Sequence, residues 1–267
     1  MLQHLSIENC PELTSLSSGV QFLEALEDLE IRDCRKLESL PDGLHNLNCL
    51  QKITLVSCPS LVSFPERGLP HTISQVDIFY CEKLEALPND MHKLNSLRDL
   101  SILGCRNLVS FPEEGFLTSL TSLRIGDFKM YKILVQWGLH RFTSLRRLYI
   151  VDCDDEAECF PEEEIGMTLP TSLTALHLWG FEKLISLSST GFQSLTSLQS
   201  LWIRNCPNLT SFPEVGLPSS LLGLHIRDCP KLKTACKRDE GKEWSKIAHI
   251  PYVEIDGKFI YDPEAEE

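Results

Sequence analysis

The stretch Leu26–Pro41 reads LEDLEIRDCRKLESLP, and Leu97–Pro112 reads LRDLSILGCRNLVSFP. The two differ mainly in the letters between their apolar anchors. Leu29 and Ile31 lie two residues apart, so in an extended strand both point to one side. Leu26, Cys34, Leu37 and Leu40 continue the apolar set where a strand would have turned away. One such unit cannot bury these side chains alone; identical neighbours stacked on it can, at about 1.5–3 kcal/mol for each large apolar side chain.

Aligning the chain on Leu-x-x-Leu-x-Ile-x-x-Cys-x-x-Leu places Cys10, Cys34, Cys58, Cys81, Cys105, Phe128, Cys153, Phe181, Cys206 and Cys229 at one position. The steps between them are 24, 24, 23, 24, 23, 25, 28, 25 and 23 residues. This is the period and anchor pattern of a leucine-rich repeat. The expected fold is an α/β-type solenoid, a leucine-rich repeat horseshoe with a concave parallel β-sheet and mostly irregular or 3-10 convex segments. About ten repeats cover residues 1–232, with the first N-terminally incomplete, and a cap follows over 233–267. Ten strands spaced about 4.8 Å apart give an arc of roughly 45 Å.

The thiols at Cys10, Cys34, Cys58, Cys81, Cys105, Cys153, Cys206 and Cys229 form a structural ladder. Each is small, readily buried and able to donate weakly to a backbone carbonyl. No Cys-x-x-Cys occurs among the 11 cysteines, which argues against zinc. A ladder of free thiols suits a reducing compartment. Prolines after the cysteine, as at Phe64-Pro65, Phe111-Pro112 and Phe212-Pro213, resist helix continuation. LHNLNCL at 44–50 and MHKLNSL at 91–97 fit single helical turns.

Three regions depart from the pattern. The segment FKMYKILVQWGLHRF at 128–142 is looser and suits a helix. CDDEAECFPEEEIGMTLP at 153–170 carries seven acids between Asp154 and Glu164, either a solvated loop or a dock for a basic partner. The chain begins within a repeat at Leu2, so sequence outside it is expected to cover the first coil. At the other end, Lys242 to Ala248 reads as a short helix turning Trp244, Ile247 and Ala248 inward, with Trp244 over the last coil near Leu224, Ile226 and Leu232. YVEIDGKFIY reads as a hairpin around Asp256-Gly257, followed by an acidic tail.

The composition is globular, 42% hydrophobic and 24% charged over 267 residues. The net charge of −13 argues against nucleic acid. No apolar run approaches a membrane span, and the first residues lack a signal-peptide pattern. No nucleophile elbow, zincin motif or phosphate loop occurs, so no catalytic residue and no metal ligand is assigned. Asn208-Leu209-Thr210 is a glycosylation sequon on the repeat consensus, expected to be unmodified.

What remains is the strand face that points away from the anchors. Arg147, Tyr149 and Val151 are followed by His177 and Trp179, then Trp202 and Arg204, then His225 and Arg227. Tyr149, His177, Trp202 and His225 form a ring ladder across four strands. Aromatic residues and arginine are the side chains binding hot spots use most. The ladder either binds a partner or shields the sheet. The overall charge favours a partner with basic patches, whereas the arginines suit an acidic one.

The unit LxxLxIxxCxxLxSFPExGLPxSL and the ending CPKLKTACKRDEGKEWSKIAHIPYVEID at 229–256 resemble the C-terminal leucine-rich region of plant intracellular disease resistance proteins. The class is the coiled-coil, nucleotide-binding, leucine-rich repeat type, and the resemblance covers nearly the whole chain. It implies a non-catalytic domain that senses a pathogen effector or a guarded host protein. It also implies that the domain helps hold the nucleotide-binding module of its parent inactive. By the same resemblance ADP or ATP belongs to that module alone, no cofactor belongs to this chain, and the location is cytoplasmic or nuclear. Two other readings stay open. One is the substrate-recognition domain of a ubiquitin ligase, which an upstream F-box would favour. The other is a repeat domain serving an enzyme in the same parent chain.

Overall fold

Each repeat contributes one five-residue strand, and the computed structural model shows why the anchors recur. It describes residues 1–16, 23–88, 90–108, 117–126, 135, 138–152, 158–162 and 166–261. Cys153, Phe128, Phe111-Pro112 and much of the acidic stretch at 154–164 lie outside them. The chain divides into two compact units, Met1–Ile133 and Leu134–Glu267.

The first unit holds β1 (His4–Glu8), β2 (Asp28–Arg32), β3 (Lys52–Val56), β4 (Gln75–Phe79), β5 (Asp99–Leu103) and β6 (Ser122–Gly126). They pair in sequence order, parallel and in register, so Leu29 sits beside Ile53 and Ile31 beside Leu55. Because side chains alternate across a strand, this register puts every second residue into one core. Leu29, Ile31, Ile53, Leu55, Val76 and Ile78 are buried. On the outer side Ser39 bridges to Ser15 and Ser63, a second and thinner parallel ladder. The outer segments between strands are short 3-10 turns at Asp42–Asn46 and Met91–Lys93, each burying one apolar residue, Leu44 or Met91.

The second unit holds β7 (Arg147–Val151), β8 (Cys159–Phe160), β9 (Ala175–Trp179), β10 (Ser186–Leu187), β11 (Ser200–Arg204), β12 (Gly223–Arg227), β13 (Tyr252–Ile255) and β14 (Lys258–Phe259). β7, β9, β11, β12 and β13 pair in parallel, and β14 folds back antiparallel on β13. Asp256 and Gly257 make the hairpin turn, both at positive φ. β8 and β10 pair separately on the outer side. Phe181, standing where other copies have cysteine, is buried edge-on against Phe160 at 5.7 Å between centroids.

The repeat cysteine fits because the chain turns sharply just before it. The preceding residue adopts left-handed φ at Asn9, Asp33, Ser57, Tyr80, Asn205 and Asp228, and Gly104 and Gly180 fill the equivalent place in their coils. Asn, Asp and Gly tolerate this conformation best. Its N–H then donates to the next strand, as from Asp33 to Val56 O at 3.0 Å and Asn205 to Arg227 O at 3.0 Å. At Gly180 a Cβ would also stand 3.1 Å from the Asp152 backbone, so a larger residue there would push on that neighbour. The thiol donates back to the carbonyl two residues earlier, at 3.4 Å from Cys34 to Arg32 and 3.2 Å from Cys229 to Arg227.

Cys34, Cys58, Cys81, Cys105, Cys206 and Cys229 are buried, and every cysteine among the described residues is a thiol. Cys10 keeps the same place and donates to Glu8 O at 3.5 Å, but it is exposed, on the first strand of the sheet. Burial pushes the Cys105 thiol up to about 11 and that of Cys236 up to about 12. A raised folded-state value means the neutral thiol is favoured by folding. The stability it carries is full below the ordinary thiol range and lost as pH rises towards those values. Each such thiol should therefore cost up to about 1.4 kcal/mol per pH unit above pH ~9. Denaturant titrations at rising pH should show this slope, and Cys105→Ala should reduce it. An unchanged slope, or native thiol labelling of Cys105 as fast as that of Cys10, would contradict the burial.

The cap differs in detail from the sequence reading. A helix at Pro230–Ala235 precedes the one at Trp244–Ile247. Ile247 and Ile250 are buried, but Ala248 is exposed and Trp244 only half-buried, with its ring edge-on to Tyr261 at 5.9 Å. Four helical residues bring one side chain fully inward, not three. Glu243 takes the buried place instead, because it has backbone and side-chain partners there.

Candidate functional site

The open face of β7, β9, β11, β12 and β13 brings most of the singled-out residues into three columns. In-register pairing aligns Tyr149, His177, Trp202, His225 and Glu254 in the middle one. The rings stack in succession: Tyr149 on His177 at 4.1 Å, His177 on Trp202 at 5.5 Å and Trp202 on His225 at 3.6 Å. Each plane lies within 20° of the next along this run. Parallel strands repeat at about 4.8 Å, close to the centroid separation of offset-stacked rings, so adjacent rings at one register position can meet face to face.

The ladder continues one strand further than expected. His225 meets Tyr252 at 5.2 Å, and Tyr252 meets Phe259 at 5.3 Å. The sequence around Tyr252, Glu254 and Phe259 suggests only a capping hairpin. The missed signal is that Val253 and Ile255 keep the two-apart spacing of Leu224 and Ile226, to which they pair. A strand with repeat anchors joins the sheet whatever follows it.

The polar atoms of the ladder are partly committed. Trp202 Nε1 donates to Ser200 Oγ at 2.8 Å, and the Tyr252 hydroxyl donates to Glu254 Oε2 at 2.8 Å. His225 Nδ1 is buried and 3.5 Å from Glu254 Oε2, too far for a good hydrogen bond. Burial holds the His225 imidazole below its ordinary range, against the pull of Glu254. That ring is therefore neutral near neutral pH.

The third column runs Val151, Trp179, Arg204, Arg227. Val151 was expected on the binding face and is instead buried, 5% exposed. Its register partner on the next strand is the larger Trp179. The Arg204 guanidinium lies over the Trp179 ring, 4.9 Å from its centroid. Arg204 Nε and Arg227 Nε both reach Asp228 Oδ2, at 3.9 and 3.7 Å. Arg147 is exposed at the near end of the first column, followed by Ala175, Ser200 and Gly223. Trp202 is 41% exposed, so the ladder reaches solvent at its centre.

The open face of β1–β6 has a different character. His4 Nδ1 meets Asp28 at 2.6 Å, Glu30 pairs with Arg32, and Gln75 donates to Asp77 at 2.6 Å. Among the described residues no group of three or more His, Cys, Asp or Glu side chains is placed to hold a metal ion. Among them, too, no helix is long and apolar enough to cross a membrane.

No family model matches the chain. It is 32% identical over 145 residues, 54% of its length, to an Arabidopsis thaliana protein named "putative disease resistance protein", of which the matched stretch is 10%. A second Arabidopsis thaliana protein, named for variation in compound-triggered root growth response, is 36% identical over 93 residues, 34% of this chain and 8% of that protein. Among solved structures, the leucine-rich repeat domain of the type III effector XopL matches 94% of this chain and 75% of its own, with a TM-score of 0.51 at 21% identity. The in-register strands, the buried anchors and that shared architecture make this chain a leucine-rich repeat solenoid, homologous over about half its length to a far longer plant protein named for disease resistance.

Proposed function

We propose that this chain is the non-catalytic recognition region of a larger intracellular plant immune receptor, and that its open face on β7–β13 contacts a protein partner. The observation that carries the reading is the exposed ring ladder centred on Trp202 and flanked by arginines, on a scaffold whose homologue is named for disease resistance. Aromatic and arginine side chains fixed on rigid strands lose little entropy on binding, which is what hot spots require. The partner is a pathogen effector or a guarded host protein, and the same region restrains the nucleotide-binding module of the parent. Buried reduced thiols suit the cytoplasm in which such a receptor works.

The test uses the full parent protein carrying Trp202→Ala or Trp179→Ala. Loss of a hot-spot aromatic costs about 2 kcal/mol or more of binding, roughly a 30-fold fall in affinity. Stability should fall less, by about 1–2 kcal/mol, because Trp202 is 41% exposed and gives up chiefly its stacking on His177 and His225. Recognition of the cognate partner and thermal unfolding are measured together. Normal recognition in both variants would remove this face from the account. Collapse of the fold would show that the rings serve the sheet alone.

A further inference from the structure

The stacking that builds the ladder also decides what it can offer. His177 and Trp202 each have a stacked ring on both faces, and His225 has Trp202 on one face and the tilted ring of Tyr252 on its other side. Their π-faces are therefore occupied, and a ligand cannot stack on them or place a cation over them. What reaches solvent is the ring edge, which carries the positive part of the aromatic quadrupole. The guanidinium of Arg204 lies over Trp179, which occupies the indole face there as well. The surface thus presents positively polarised edges and cations.

The charge count points the same way. On the described strand positions of this face, Arg147, Arg204 and Arg227 stand against one acid, Glu254, which already accepts from Tyr252. At the rim Asp228 reaches Arg204 and Arg227 only at long range, and Asp256, which also lies near Arg227, is held by Lys233. The face of β1–β6 has the opposite balance, with Glu8, Asp28, Glu30, Asp77 and Asp99 against three bases. A cationic face in a chain of net charge −13 is a local feature, not a by-product of composition.

We infer that the open face of β7, β9, β11 and β12 takes an acidic segment of its protein partner, with Asp or Glu carboxylates on the guanidiniums of Arg204 and Arg227 and against the edge of Trp202. Guanidinium and carboxylate match as planar, two-pronged partners. Stacking on Trp179 fixes the Arg204 plane before the partner arrives, so little ordering remains to be done on binding. The inference rests on the recognition reading above and narrows it to one partner chemistry.

A random-peptide display library is selected on the 267-residue chain, and the enriched peptides are measured against Arg204→Glu/Arg227→Glu, Arg204→Gln/Arg227→Gln and Trp202→Ala. The expected result is enrichment in Asp and Glu, an affinity loss of about tenfold or more in both arginine variants, and weakening with added salt. The glutamine pair keeps the test valid if charge reversal disturbs folding. Enriched peptides that are neutral or basic but depend on Trp202 would overturn the acidic assignment while leaving the recognition face in place. Peptides indifferent to all three variants would overturn both.

Discussion

Replacing Glu243 with alanine should remove about 3–5 kcal/mol of stability, the range for stripping one partner from a buried charged pair. The side chain is 6% exposed, yet it carries a carboxylate. Its Oε2 accepts the Phe212 backbone N–H at 2.8 Å and lies 3.0 Å from Lys246 Nζ. Lys246 in turn donates to Phe212 O at 3.3 Å, so both polar groups of one backbone residue are held by the cap. The Glu243 N–H donates to Ala235 O at 2.9 Å, which ties the carboxylate to the end of the preceding helix. Truncation leaves a buried N–H without an acceptor and an ammonium without its counter-charge. Glu243→Gln, which keeps an acceptor oxygen, should lose less. Because each coil leans on its neighbours, hydrogen exchange should rise first near Phe212 and Ile226. A change below about 1 kcal/mol in Glu243→Ala by denaturant unfolding would show that the clamp is incidental. Trp244→Ala should be milder than that, since its ring is only half-buried.

Restoring the repeat residue at another site should also weaken the protein. Phe181→Cys returns the eighth copy to the common pattern, and a reading by consensus would predict a gain. The structure predicts a loss of about 2–4 kcal/mol, a little under the usual cost of a buried Phe→Ala change. Phe181 and Phe160 are both buried and meet edge to face at 5.7 Å. Phe160 lies in β8, the small outer strand paired with β10. The thiol would leave a cavity beneath β8 and forfeit the edge-to-face contact, about 0.5–1.5 kcal/mol by itself. Unfolding in guanidinium measures the change, and faster exchange around Phe160 locates it. A variant as stable as the parent chain would mean the coil closes over the gap without the ring pair.

The anchors were readable from the sequence because burial in a stacked coil allows few alternatives. Leu29 and Ile31, and the equivalent pairs of β3 to β7, β9, β11 and β12, are buried, so the period alone fixes which side of each of these strands is wet. The same alternation placed Tyr149, His177, Trp202 and His225 in one column. Side-chain height was not readable. Val151 has the right parity for the open face and is buried all the same, beside the larger Trp179 on the next strand. The left-handed residue before each cysteine was also hidden. Asn, Asp, Ser, Tyr and Gly share that place with no common letter, only a common backbone conformation. The cap was misjudged where polar partners overrule apolarity: Glu243 is buried and Ala248 is not. Tyr252 was assigned to a hairpin, which it does begin, while β13 also extends the parallel sheet.

The hairpin has a consequence for solubility. A row of parallel strands ending in an open edge is a template on which a second chain can add its own strand, and from there fibres grow. Here the last parallel strand, β13, is covered by β14, which runs the other way and is two residues long, Lys258 and Phe259, both exposed. A foreign strand arriving at this edge meets a short antiparallel stub carrying a lysine, with too few backbone groups to hold it. The turn at Asp256-Gly257 thus acts as a full stop against polymerisation, and lengthening β14 into a regular apolar strand would be the change most apt to make this end of the protein sticky.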